Sequence, residues 1–193
     1  MPRVRDDDAT RERLSEAVFL TLAERGPTGL TLRAVAERAG CSTGLVLHTF
    51  KGKRELLLHA RDVLHERTRE RSDVLESEAP DAATALREVV FHALPSDSEK
   101  RAEARVWIGF LAAALSDPIL AERHAQHSRA FAARLVRLLE ASEKQGASSA
   151  PAQASALAAA VEGISTLAAG DPEKWPAARQ RQALELVLAA TTA

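Results

Sequence analysis

The sequence predicts an all-α protein. Leucine and alanine dominate its 193 residues, tyrosine is absent, and valine and isoleucine, which favour strands, are sparse. Apolar residues recur at spacings of three and four, and no segment shows the alternation typical of a strand. Prolines after residue 79 fall between these periodic stretches, as expected for a residue that cannot continue a helix. Together these observations predict about nine helices.

The predicted helices follow one another with short connections. Leu14, Val18 and Leu22 mark a first helix that should end at Gly26 and Pro27. Two short runs and a longer one follow, and prolines separate the rest, which gives helices near 32–39, 43–49, 53–77, 81–94, 98–116, 118–144, 151–169 and 174–191. The second half of helix 98–116 is apolar nearly all round, which predicts that it is buried.

The two short helices form a recognisable unit. Thr31 is placed to cap the first, Gly40 follows its last periodic residue, and Ser42 is placed to cap the second. Two short helices joined by a turn that contains glycine are typical of a helix-turn-helix motif.

The second short helix has two different faces. Val46 and Phe50 share one face and should pack inward. The remaining face should be free to meet a groove, and it carries Thr43, Gly44, Leu45, Leu47 and His48. Lys51, Lys53 and Arg54 follow directly, which favours contact with a polyanion.

This stretch resembles the DNA-binding domain of TetR-family transcriptional regulators. The resemblance covers roughly residues 10 to 58 and rests on the run GCSTG at 40–44, with His48 and the FKGKREL tail at 50–56 in register. The family usually has aromatic residues, often tyrosine, where this chain has Leu47 and Thr49, so the phosphate contact of such a hydroxyl is not carried over. The resemblance implies an all-helical dimer that binds an operator until a small molecule releases it.

The second half of the chain resembles the regulatory domain of the BetI-type subgroup. The run RVWIGFLAAALSDPILAERH at 105–124 and the later PEKW at 172–175 carry this similarity. We therefore expect a three-helix DNA-binding domain over residues 1–52, followed by a helical-bundle domain for ligand binding and dimerisation over 53–193.

These expectations assign roles to individual residues. We predict groove contacts from Thr43, Leu45 and His48, with Gly44 and Leu47 on the same surface. Phosphate contacts are predicted from Thr31, Arg33, Ser42 and Lys53, because an ammonium such as that of Lys53 lacks the planar fork that reads a base. The partner would be a double-stranded palindromic operator.

A ligand cavity in the body is expected from the resemblance. Aromatic walls with a few polar groups typify such sites, and the candidates are Phe91, His92, Trp107, Phe110, His124, His127, Phe131 and Glu162. Stripes of this kind also form ordinary cores. The ligand itself cannot be read from the sequence.

The last two helices are expected to form a homodimer interface. Ala156, Ala159, Ala160 and Gly163 would allow a partner helix to come close, while Leu184, Val187 and Leu188 would supply an apolar stripe. Burial of both faces within one chain is the alternative.

Other classes of protein fit the sequence less well. No catalytic constellation, cofactor motif or metal-ligand spacing stands out, and a single cysteine permits no internal disulfide. We therefore expect a protein that is not an enzyme. No apolar run approaches the roughly 20 residues that cross a bilayer, so we expect a cytoplasmic protein. The competing hypothesis is a helical dimeric ligand-binding or protein-interaction module without DNA binding.

Overall fold

The fold consists of helices joined by short turns. The computed structural model describes residues 3–142 and 149–191, with side chains from residue 9 onward. Within these ranges the chain forms nine helices and no strand: α1 (Arg3–Gly29), α2 (Leu32–Ala39), α3 (Thr43–Thr49), α4 (Lys53–Glu78), α5 (Ala82–His92), α6 (Ser98–Ala114), α7 (Pro118–Ser142), α8 (Ala150–Gly170) and α9 (Ala177–Thr191).

Most helix boundaries confirm the sequence prediction. The backbone of α1 leaves helical geometry at Gly26, with φ 65° and ψ −177°, where the prediction placed the end of this helix. One further turn then runs to Gly29. The predicted end of α7, at residue 144, lies outside the described residues.

One boundary differs from the prediction. Helix α9 begins at Ala177 and not near residue 174. Pro176 disfavours helical backbone geometry at the residue before it, so the helix cannot extend further toward the N-terminus. The carbonyl of Pro176 accepts the amide of Gln180 at 3.1 Å, so the regular hydrogen bonding of α9 starts there.

The chain divides into two compact units. The first comprises Met1–His65 together with Arg105–His124, and the second comprises Glu66–Ala104 together with Ala125–Ala193. Helices α4, α6 and α7 each begin in one unit and end in the other.

The first unit is built around the short helices. Val18, Phe19 and Leu22 of α1 are buried, as are Val35 of α2 and Val46 of α3. Gly109 of α6 lets α1 come close: a Cβ atom there would lie 3.2 Å from a methyl of Leu22 and 3.4 Å from Pro27 Cδ. Helix α6 therefore belongs to the packing of this unit, although it follows far later in the chain.

The second unit has a core formed by α5, the second half of α7, α8 and α9. Its buried apolar residues include Leu86, Leu135, Leu157 and Leu184. Ion pairs join its helices at the surface, among them a bidentate pair in which the Arg87 guanidinium donates to both carboxylate oxygens of Glu185 at 2.6 Å.

The expected burial of α6 is only partly correct. Val106 and Phe110 are fully buried, but Leu115, just beyond the helix end, is 83% exposed. The apolar run at 105–115 therefore overstates how much of the helix is enclosed, because periodicity does not show where the surrounding helices stop.

No described helix is both long enough and apolar enough to cross a membrane.

Candidate nucleic-acid interface and effector site

Single residues fix the ends of α2. The Thr31 hydroxyl accepts a hydrogen bond from the Ala34 amide at 3.1 Å, which satisfies one of the free donors in the first turn. Gly40 closes the helix with φ 63°, and its amide donates to the carbonyls of Ala36 and Glu37. Both predicted caps are confirmed, and a side chain at position 40 would be strained in this left-handed conformation.

Helix α3 starts and packs as its sequence predicts. The Ser42 hydroxyl accepts the amide of Leu45 at 3.2 Å. Val46 is fully buried and Phe50 nearly so. These contacts hold α3 by one side and leave its other side at the surface.

The surface of α3 is formed by residues that make few contacts within the chain. Thr43, Gly44, Leu47 and His48 are exposed and define what we call the reading face, while Leu45 beside them is half-buried. Thr31, Arg33, Ser42 and Lys53 are also exposed. The nine residues predicted to contact DNA thus occupy one helix pair and the start of α4, with eight of them exposed.

Basic side chains flank the reading face. Lys51 and Lys53 are exposed at the α3–α4 turn, where the Glu55 carboxylate accepts the Lys51 amide at 2.9 Å. Arg33 lies on α2 nearby in sequence and is exposed as well. Exposed cations beside a reading face without carboxylates can bind phosphates while the face meets base edges.

Arg54, which the sequence grouped with Lys51 and Lys53 as a cation for polyanion contact, is paired within the chain instead. Its Nε donates to Asp117 Oδ2 at 2.7 Å, and Asp117 Oδ1 accepts the amides of Ile119 and Leu120 at the start of α7. The hydrogen bond from Arg54 is the main reason that the pKa of Asp117 is below its usual value. Partners 63 residues apart in the chain leave no local signal, so only the fold identifies this pair.

A histidine inside the first unit was also not singled out. His59 Nε2 lies 2.9 Å from Ser15 Oγ of α1, and its ring centroid is 5.0 Å from that of Phe50. Burial lowers the pKa of His59, against the opposing effect of the nearby Asp62 carboxylate. The neutral imidazole therefore joins α1, α4 and the end of α3.

Three of the predicted effector-site residues lie together in the first unit. The His124 ring is 6.0 Å from that of Trp107 and 6.4 Å from that of Phe110, the latter in a stacked arrangement. Phe110 is fully buried, and Trp107 and His124 are half-buried. This group provides two aromatic surfaces and an imidazole.

The other five predicted effector-site residues lie in the second unit. Phe91 belongs to its core, and the guanidinium groups of Arg87 and Arg181 lie 4.7 and 5.0 Å from the centroid of its ring. Phe131 packs against the same core, His127 is buried and Glu162 half-buried.

His92 has a polar environment in the second unit. Its Nδ1 lies 3.3 Å from Lys100 Nζ, and because an ammonium can only donate, Nδ1 accepts this hydrogen bond. Burial, followed by the charges of Lys100 and Arg71, lowers the pKa of His92. The ring is therefore favoured in its neutral form.

Among the described residues, no group of three or more histidine, cysteine, aspartate or glutamate side chains is arranged to hold a metal ion.

The last two helices use their faces differently from the prediction. Leu184 and Leu188 are buried in the core of the second unit, with Val187 packed against it, so the stripe assigned to a partner serves the monomer instead. The large apolar side chains exposed on α9 and α8 are Leu186 and Leu167, which are 70% and 49% exposed. The small-residue face of α8 is exposed as predicted at Ala156, Ala159 and Gly163, while Ala160 packs against the core.

Family models match both parts of the chain. Residues 19–60 match the model described as bacterial regulatory proteins of the tetR family, and residues 82–193 match that of the BetI-type transcriptional repressor, C-terminal. The second match alone covers more than half of the chain.

Individual relatives agree with these models. The chain is 29% identical over 177 residues to the HTH-type transcriptional regulator PksA of Bacillus subtilis, covering 89% of this chain and 84% of that protein. It is 32% identical over 133 residues to BetI of Stenotrophomonas maltophilia, covering 68% of each.

Solved structures share the fold. A transcriptional regulator from Rhodococcus sp. superposes with a TM-score of 0.85 at 32% identity, over 93% of this chain and 94% of that one. A complex of SmeT with triclosan superposes with a TM-score of 0.77 at 26% identity, over 94% and 91%.

Proposed function

The chain belongs to the TetR family of DNA-binding transcriptional regulators, with a C-terminal part of the BetI type, and on this premise we propose that it is a repressor released from a palindromic operator by a small molecule. The relatives that it matches are regulators of transcription and not enzymes.

The reading face is the observation that carries the proposal. Caps at both ends and a buried Val46 hold α3 firmly, and its outer side presents Thr43, Gly44, Leu47 and His48, with Thr49 exposed at its last position. A short helix whose outer face carries no carboxylate, followed by exposed lysines, suits insertion into a major groove. Thr43, Leu45 and His48 would contact base edges, and Thr31, Arg33, Ser42 and Lys53 would contact phosphates.

Residues 1–52 would act as the DNA-binding domain and residues 53–193 as the regulatory domain.

Thr31 and Ser42 already accept amide hydrogen bonds as caps, but each hydroxyl keeps its proton for donation to a phosphate oxygen. Capping and phosphate contact are therefore compatible at both positions.

A homodimer would give the affinity that one short helix lacks. Two recognition helices about 34 Å apart meet successive major grooves on one side of the duplex. The exposed small-residue face of α8, at Ala156, Ala159 and Gly163, together with Leu167 and the exposed Leu186 of α9, supports an interface between the last two helices of two copies.

The effector would act by changing the spacing of the two DNA-binding domains. SmeT, a structural relative, binds triclosan, which supports a small-molecule site in the helical body of this chain. A molecule that binds one conformation more tightly shifts the population toward it by that difference in affinity. Helix α4 follows α3 directly and would serve as the lever.

The DNA-binding roles are tested by selecting bound oligonucleotides from a random pool and measuring affinity over a range of salt concentrations. Lys53→Ala should weaken binding to selected and scrambled duplexes alike and reduce the salt slope, since it removes a phosphate contact. Thr43→Ala should instead change which sequences are preferred.

Lys174→Ala is the matched control, because Lys174 is an exposed lysine in the second unit and should leave both affinity and salt slope unchanged. If each of the two variants, Lys53→Ala and Thr43→Ala, lost the same factor of affinity on selected as on scrambled DNA, neither residue would affect sequence preference. The assignment of a base contact to Thr43 and a phosphate contact to Lys53 would then be wrong. If the unmodified chain bound no duplex selectively, the DNA-binding proposal itself would fail.

A further inference from the structure

Leu47 is unusual among the side chains of the helix-turn-helix. It is 50% exposed and is the one large apolar side chain of α2 and α3 with so much of its surface in solvent. It makes no contribution to the caps, and the buried side of α3 is supplied by Val46. A single exposed leucine is common at protein surfaces, so its exposure alone assigns no partner. What distinguishes Leu47 is its place on the reading face, beside Thr43, Gly44 and His48.

The residues beside Leu47 leave room for a partner. Side chains on a helix lean toward its N-terminus, so the Leu47 isobutyl group points toward the turn that contains Thr43 and Gly44. A Cβ atom at Gly44 would meet only Ser42 Oγ, at 3.8 Å, so the surface there is open. Thr43, four residues before Leu47, is exposed and adds its own methyl group. The exposed Leu47 and Thr43 side chains therefore lie beside an open surface at Gly44.

The exposed charges on the helix-turn-helix and at the start of α4 indicate which partner fits Leu47. Lys51 and Lys53 are exposed just beyond α3, and Arg33 is exposed on α2, which favours a polyanion. A leucine cannot donate a hydrogen bond to a phosphate oxygen, however. In the major groove, the apolar group that a base edge offers is the 5-methyl of thymine.

We propose that Leu47 packs against the 5-methyl group of a thymine in each operator half-site, and that this contact makes operator choice depend on that methyl. The inference rests on the proposed function, since it requires α3 to lie in a major groove. It assigns Leu47 the role of a base reader and separates it from the residues that contact phosphates.

The test removes the methyl group from the DNA and leaves the protein intact. In duplexes that carry a selected operator, each thymine of the half-site is replaced in turn by deoxyuridine, which pairs identically but lacks the methyl. At one position the affinity of the unmodified protein should fall about fourfold when one half-site is changed, and about fifteenfold when both are. Deoxyuridine at the other positions should change affinity less than twofold.

Two variants complete the experiment. Leu47→Ala should bind the thymine and deoxyuridine operators equally, whereas Leu47→Met, which keeps a large apolar side chain, should retain the difference. Leu115→Ala is the matched control, since Leu115 is an exposed leucine outside α3 and should leave the discrimination intact. Circular dichroism verifies that each variant is folded.

The outcomes separate this inference from the proposed function. If the protein bound its operator selectively but tolerated deoxyuridine at every position within twofold, or if Leu47→Ala discriminated as the unmodified protein does, Leu47 would not read a methyl and the repressor proposal would stand. A selected operator without thymine in its half-sites would overturn the inference equally. Absence of any selective binding would instead overturn the proposed function.

Discussion

The helix pairs α2–α3 and α8–α9 are held in place in different ways. In α2–α3, individual residues fix three of the four helix ends: Thr31 and Gly40 close α2, and Ser42 caps the start of α3. In α8–α9, no side chain caps the start of α8, and stability comes from many apolar residues buried in a shared core, such as Leu157 and Leu184. The difference shows that the first pair depends on local chemistry and the second on distributed packing.

The largest expected effect tests the distributed packing of α8. Leu157 is fully buried in the core of the second unit, so Leu157→Ala should lower the free energy of unfolding by about 2–5 kcal/mol, because it removes apolar contacts and leaves a cavity. Chemical denaturation followed by circular dichroism measures the change.

Leu167→Ala is the control on the same helix, where the side chain is half exposed. In a single chain it should change the free energy of unfolding by less than about 0.5 kcal/mol. In the proposed homodimer, where Leu167 meets a second copy, the loss should be larger and should increase with protein concentration. Equal losses in the two variants would mean that both faces of α8 are covered in solution, as a second copy on the Leu167 side would do.

The same difference explains what could be predicted from sequence. Residues that cap helices act on backbone groups three or four positions away, so Thr31, Gly40 and Ser42 were identified together with the outer face of α3. Prolines marked the boundaries of the later helices, because a proline interrupts a helix at its own position. Such signals are local, and the sequence shows them directly.

Long-range packing was predicted poorly. The stripe of Leu184 and Leu188 was assigned to a partner but is buried in the monomer, and the pair Arg54–Asp117 joins positions 63 residues apart. Periodicity shows that a helix has an apolar face but not which element covers it. For that reason the effector-site residues remain predictions, divided as they are between the two units.

An intermediate effect tests the local chemistry. Gly40 has φ 63°, and a Cβ atom there would meet nothing within 4 Å, so the cost of Gly40→Ala is purely conformational. It should lower the free energy of unfolding by about 1–2 kcal/mol. Thermal and chemical denaturation both measure it.

Gly163→Ala is the same substitution in the interior of α8, at a residue without positive φ and with open space around it. In a single chain it should raise the free energy of unfolding by about 0.5–1 kcal/mol, since alanine is the better helix former. In the proposed homodimer, where this face of α8 meets a second copy, the gain should be reduced or reversed. A loss at position 163 would indicate that another copy packs closely against α8, and a gain at position 40 would contradict the role given to its backbone conformation.

The smallest expected effect concerns pH and the α1–α4 contact within the first unit. Burial lowers the pKa of His59 below its usual 6.5, so the unfolded chain binds more protons than the folded one as pH falls through that value. The contribution of neutral His59 should therefore be complete above pH 6.5, decline as pH falls below it, and stop changing once the folded-state pKa is passed.

Comparison with His59→Gln isolates this contribution from that of the other histidines. Between pH 7.5 and 5.5 the variant should lose less of its free energy of unfolding than the unmodified protein. The difference between the two losses should be smaller than the effect of Gly40→Ala. Ser15→Ala, which removes the hydrogen bond at 2.9 Å but keeps the histidine, should preserve the pH dependence because burial is its main cause. If Ser15→Ala abolished the pH dependence of stability, the hydrogen bond to Ser15, and not burial, would be its main cause. If His59→Gln kept the full dependence, a group other than His59 would be responsible for it.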